Sequence, residues 1–117
     1  MALRDLTGVV DFGHLEAYTL NDAVIMEEVL RIFQQQCELW APLLTTQHTG
    51  WRDAAHTIKG AAAGVGAGLL AAAAEAAERG DAEGADFRLD KVRSAMNAAQ
   101  HDVAAYLHEL QLRSLRG

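Results

Sequence analysis

From residue 20 onward, apolar residues recur at helical spacing along most of the chain. Met26, Leu30, Phe33, Cys37, Trp40 and Leu44 advance by alternating steps of four and three, and Trp51, Ala55, Ile58, Ala62, Val65 and Leu69 repeat them. The longest series is Ala85, Leu89, Val92, Met96, Ala99, Val103, Tyr106 and Leu110. Steps of three and four keep side chains on one face of an α-helix, and a helix with one apolar face must bury it against another. Short connections between such stripes make neighbours antiparallel. The pattern predicts an all-α protein, an antiparallel four-helix bundle with a short additional N-terminal helix. A single domain is expected over residues 1–117, with its core at about 11–113.

The boundaries follow from local chemistry. Asp11 is a candidate cap for a short first helix running to about Tyr18 and lying across one end of the bundle. Thr19 with Asp22 three residues later is a loose capping box that would open the second helix. Pro42 falls inside the first stripe and removes a backbone donor near Glu38–Ala41. A kink rather than a stop is expected there, because Leu43 and Leu44 still need burial. TTQHTG, residues 45–50, is a loop, and the glycines of GVGAG, residues 64–68, place a turn near Gly66 to Gly68. Gly80 followed by Asp81 fits a helix stop and then an N-cap.

Composition supports the helical reading, since half of the residues are apolar and alanine, the best helix former, supplies much of that share. The net charge is −6 and the ten basic residues are scattered, so nucleic acid, which requires a concentrated basic surface, is not an expected partner. Cys37 is the single cysteine, excluding an internal disulfide, and its place in an apolar stripe makes it a core residue. MALRDLTGVVDFG at the N-terminus lacks the apolar run of a signal peptide or membrane span. A cytoplasmic location without membrane attachment is the default expectation.

Candidate chemistry concentrates in RDAAHTIKGAAAGVG, residues 52–66. His56 lies one residue, about 100°, from the core position Ala55, on a flank line with Arg52, Lys59, Gly60 and Ala63. An imidazole so presented is accessible to solvent. A neutral histidine is a competent nucleophile near pH 7, Lys59 would offset charge on phosphoryl oxygens, and Gly60 would leave room for the incoming group. One ring nitrogen attacks, so the other needs an acceptor that fixes the tautomer. Glu78, on a helix folding back along His56, is the first candidate and Glu75 the second. A histidine with a lysine three positions on is also common on helix surfaces, so these residues alone leave an incidental surface histidine open. The glycines follow no strand and match neither dinucleotide nor P-loop spacing. His14, His48, His101 and His108 belong to no Cys or carboxylate constellation that would hold a metal, and paired Glu-x-x-His repeats are absent.

AAHTIKGAAAGVGA resembles the signature of histidine-containing phosphotransfer (HPt) domains: His56, then Lys59 and Gly60, small residues, and Gly66 ten positions after the histidine. The similarity extends through Phe33, Trp51, Glu78 and the Gly80–Asp81 turn, covering nearly the whole chain. The resemblance implies a helical bundle that carries a phosphoryl group from the aspartyl phosphate of one receiver domain to another. It implies His56 as phosphoacceptor through the nitrogen far from the backbone, Lys59 and Gly60 as its support, and Glu78 where the family often has Gln or Glu bonding the imidazole. It also implies that no ATP is bound, that no cofactor is resident, and that the Mg²⁺ of the transfer belongs to the receiver. Ala61 and Ala62 stand where the family often has Ser or Thr, and Gly64 and Gly68 are additional glycines.

The partners so implied are response-regulator receiver domains and a hybrid sensor kinase. Arg52, Ala63 and Gly64 are expected on the docking surface, with apolar small residues flanked by polar guides. Such a carrier needs no dimer, so a monomer is expected. The competing function is a non-catalytic helical adaptor or dimerisation module whose histidine is incidental.

Overall fold

The structure, a computed structural model, describes residues 9–116. The stretch 1–8, the larger part of the N-terminal segment considered for targeting, lies outside the described residues. Five α-helices follow one another: α1 (Phe12–Tyr18), α2 (Ala23–Trp40), α3 (Trp51–Val65), α4 (Gly68–Arg79) and α5 (Ala85–Arg116). A 3₁₀ turn at Ala41–Leu43 follows α2. Among the described residues there is no strand. At about 1.5 Å per residue, the 32 residues of α5 account for the 52 Å long axis of the molecule.

The three apolar stripes form the core. Met26, Leu30, Phe33 and Cys37 of α2, Ala55, Ile58, Ala62 and Val65 of α3, and all eight positions of the α5 stripe are buried in one cluster. Burial pushes the Cys37 thiol up to about 12, with Glu38 adding to the effect. Leu69 departs from its stripe and is exposed, because the turn at Gly66–Ala67 breaks the helical phase and Ala67 takes the inward position. Gly66 adopts φ 85°, the left-handed conformation in which a helix commonly ends. The small residues Ala54, Ala55 and Ala62 of α3 share the core cluster with Ala74 and Ala77 of α4. Contacts of this kind let two helices lie close.

Asp11 caps α1 as expected, accepting from the His14 N–H at 3.4 Å. α1 is fastened to the α3–α4 turn and to α5 by several contacts. The Asp11 N–H donates to the Gly66 carbonyl at 2.9 Å. Phe12 stacks on Tyr106 with centroids 4.2 Å apart, and the Tyr106 hydroxyl donates to Glu16 Oε2 at 2.6 Å. Just before α1, the Val9 and Val10 amides donate to the fully buried Asp102 carboxylate at 3.0 and 3.2 Å. The buried Asp102 carboxylate and Tyr106 hydroxyl are thereby satisfied within the protein.

Three boundaries differ from expectation. Thr19 does not open α2: its hydroxyl donates back to the Leu15 carbonyl at 2.9 Å and closes α1. Asp22 alone caps α2, accepting from Val24 and Ile25 at 2.9 and 3.2 Å. Pro42 ends α2 rather than kinking it. Lacking an N–H for the Glu38 carbonyl, the chain tightens into the 3₁₀ turn, and Leu44 is nevertheless fully buried beyond it. Asp81 does not cap α5, which starts at Ala85 after a turn with Gly84 at φ 78°. The Arg88 guanidinium donates to the Asp81 and Glu83 carbonyls, which draws that turn back onto α5.

Candidate functional site

His56 emerges from the flank of α3 with its side chain 64% exposed. Its neighbours Ala54 and Ala55 are buried, so the helix that anchors the ring is fixed while the ring itself meets solvent. His56 Nδ1 lies 2.8 Å from Glu78 Oε2. An ionised carboxylate can only accept, so Nδ1 carries a proton and donates, and in the neutral ring the outer nitrogen, Nε2, keeps its lone pair. Of the two carboxylates considered from the sequence, Glu78 makes this contact, whereas Glu75 is an exposed residue one turn earlier on α4.

Glu78 has a second partner. Its Oε1 is 3.1 Å from Lys59 Nζ, so a single carboxylate bridges the imidazole and the ammonium. The hydrogen bond from Lys59 is the main influence holding the Glu78 carboxyl below the usual carboxylate range. Partial burial pushes the other way, and the His56 contact again lowers it. Sequence reasoning aimed Lys59 at the phosphoryl oxygens. In the structure Lys59 is engaged by Glu78, a pairing that depends on the register of α3 against α4 and has no local sequence signal. Arg52 approaches the same residue: its Nη1 donates to the Glu78 carbonyl at 2.6 Å, and its guanidinium lies 4.4 Å from the centre of the Trp51 ring.

Gly60 and Gly64 are exposed on the His56 side of α3, and a Cβ built on either meets nothing within 4 Å. The fold therefore requires glycine at neither position, in contrast to Gly66, where a Cβ would come within 2.5 Å of the Asp11 carbonyl oxygen. Gly68, at the start of α4, is likewise open. Ala63 is exposed beside Gly64. Gly60 and Gly64 form one wall of a shallow groove completed by His14 and Tyr18 of α1 and by Val29 and Ile32 of α2. Nothing in the sequence pattern pointed to the α1 side of this groove. Tyr18 and Ile32 are exposed apolar residues there, at 76% and 55%, set against a helix surface of Gly60, Ala61, Gly64 and Val65.

An accessible ring nitrogen, a carboxylate that orients it and a cation on the same carboxylate form an arrangement for accepting an electrophilic group. The model of the Hpt domain family matches residues 26–111, which include every one of these groups. The chain belongs to the Hpt domain family. Among solved structures, it is similar to the histidine phosphotransferase ShpA from Caulobacter crescentus, with 48% identity. That similarity covers 92% of this chain and 99% of ShpA, at a TM-score of 0.82. Comparison with curated proteins gives no match. As an Hpt domain the chain is a phosphorelay carrier of two-component signalling, a family of phosphocarriers rather than kinases, whose partners include receiver domains. Among the described residues, no cluster of His, Cys, Asp or Glu is arranged to hold a metal ion. None of the described helices is long and apolar enough to cross a membrane.

Proposed function

We propose that this Hpt domain relays a phosphoryl group between receiver domains through His56 Nε2. The observation that carries this reading is the 2.8 Å contact between Nδ1 and Glu78, which leaves Nε2 as the free base on an exposed ring. In the transfer, the Nε2 lone pair attacks phosphorus of the receiver's aspartyl phosphate, the P–O bond breaks, and the aspartate leaves with the bonding electrons. Nδ1 keeps its proton, so the ring gains positive charge as the N–P bond forms, and the adjacent Glu78 carboxylate offsets it. Lys59 exchanges Glu78 Oε1 for the phosphoryl oxygens, its flexible stem making that swing possible. The reverse sequence delivers the group to a second receiver.

The groove beside Gly60 and Gly64 suits the apolar face of a receiver helix, Ala63 is exposed next to it in sequence, and a modest interface favours the fast exchange a relay needs. Mg²⁺ is supplied by the receiver and the chain brings no cofactor of its own. A hybrid sensor kinase is the proposed source of phosphoryl groups, and the working form is a cytoplasmic monomer. Incubation with a phosphorylated receiver tests the assignment. The expected product is acid-labile, alkali-stable label on the wild-type chain, with none on His56→Gln. Absence of label with several receivers would favour the adaptor instead.

A further inference from the structure

Arg52, His56 and Lys59 stand at i, i+4 and i+7 of α3, and all three meet one residue of α4. His56 takes Glu78 Oε2, Lys59 takes Oε1, and Arg52 takes the backbone carbonyl at 2.6 Å. Glu78 is the penultimate residue of α4, so its carbonyl is among the last four of the helix, which have no intrahelical donor. Helix ends fray unless such groups find partners. A guanidinium there supplies both a donor and a positive charge at the negative end of the helix. Arg52 is itself steadied by lying over the Trp51 ring, and Trp51 belongs to the core cluster.

We infer that Arg52 is a positioning residue for phosphotransfer, acting through Glu78 by clamping the last turn of α4 so that the carboxylate stays on His56. This rests on His56 being the phosphoacceptor, and it replaces the role of polar guide for a docking partner. Arg52 directs a hydrogen bond inward, to its own protein, and the geometry of the phosphoacceptor depends on that bond. Releasing it lets the end of α4 open, moves Glu78 off Nδ1, and lets the ring proton redistribute between the two nitrogens.

The test uses the full chain carrying Arg52→Ala or Arg52→Lys. In Arg52→Ala, the amides of Glu78, Arg79 and Gly80 should lose about tenfold in hydrogen-exchange protection. The His56 ¹⁵N shifts should move from a predominantly Nδ1-protonated ring toward a mixture. The transfer rate at saturating phosphorylated receiver should fall about tenfold while receiver affinity is unchanged, with Arg52→Lys recovering part of each loss because an ammonium can still donate to the carbonyl. Unchanged ring shifts together with weakened receiver affinity and an unchanged saturating rate would overturn the inference and make Arg52 a docking contact. Failure of the wild-type chain to accept label from any receiver would reject the phosphoacceptor assignment instead. The ring and exchange measurements need no receiver and would still decide for or against the clamp.

Discussion

Replacing Gly60 by alanine should make the protein more stable and a poorer phosphoacceptor. Gly60 lies inside α3, and the added methyl would meet no atom within 4 Å. The substitution therefore gains the helix-propensity difference of about 0.4–1 kcal/mol with no steric cost to offset it. With an unfolding entropy of about 2.1 cal/mol/K per residue over 117 residues, that gain raises Tm by about 2–4 °C. The same methyl stands one turn from His56, on the wall of the groove proposed to receive a receiver helix. A displacement of about 1 Å in a reacting pair costs on the order of 100-fold in rate. Transfer to Gly60→Ala should accordingly slow severalfold, and transfer to Gly60→Leu by about two orders of magnitude, without loss of Tm. Thermal melts followed by circular dichroism, paired with timed labelling by a phosphorylated receiver, measure both quantities on the same samples. A fall in Tm for Gly60→Ala would mean that the glycine serves the fold. Full-rate labelling of Gly60→Leu would show that space at this position is irrelevant to transfer.

Gly66→Ala should act in the opposite direction. The left-handed backbone costs about 1–2 kcal/mol and the approach to the Asp11 carbonyl a further ~1–3 kcal/mol, lowering Tm on the order of 10 °C, and an unchanged melt would refute the turn assignment. The Glu78 carboxyl should titrate below the ordinary glutamate value of about 4.3 and move upward in Lys59→Ala, as read by carboxyl ¹³C shifts. Because the folded value is depressed, the stabilisation from this pairing is fully present above that ordinary value and is lost as pH falls through the folded one. The urea midpoints of wild type and Lys59→Ala should therefore converge on acidification, and a gap that persists at pH 2 would contradict the pairing. With its thiol pushed up to about 12, native Cys37 should resist a thiol reagent at pH 8 and react only as fast as the chain unfolds; prompt labelling would place it outside the core.

Residues whose behaviour depends on near neighbours were legible from sequence. The 4-3 spacing assigned the inward faces of α2, α3 and α5, because a helix converts spacing into direction without reference to the rest of the molecule. The same rule set His56 outward, one position round from buried Ala55, and grouped it with Arg52 and Lys59. Where the rule was carried across a break in the helix it failed, as at Leu69, which lies beyond the Gly66 turn and is exposed. Pro42 shows a different limit. A stop and a kink both accommodate the missing N–H, and the choice depended on whether Leu44 could reach the core from a 3₁₀ turn.

The chain by itself thus determined a helical bundle, the buried faces and an accessible histidine with a lysine and a glycine on its side, since all of these follow from periodicity within single helices. The tertiary structure brought Glu78, ranked first from sequence, rather than Glu75 onto the ring, and it alone decided that Lys59 shares that carboxylate and that Arg52 holds the carbonyl behind it. Those contacts depend on how far α4 slides along α3 after the left-handed turn at Gly66, a distance set by packing between two helices and written in neither one.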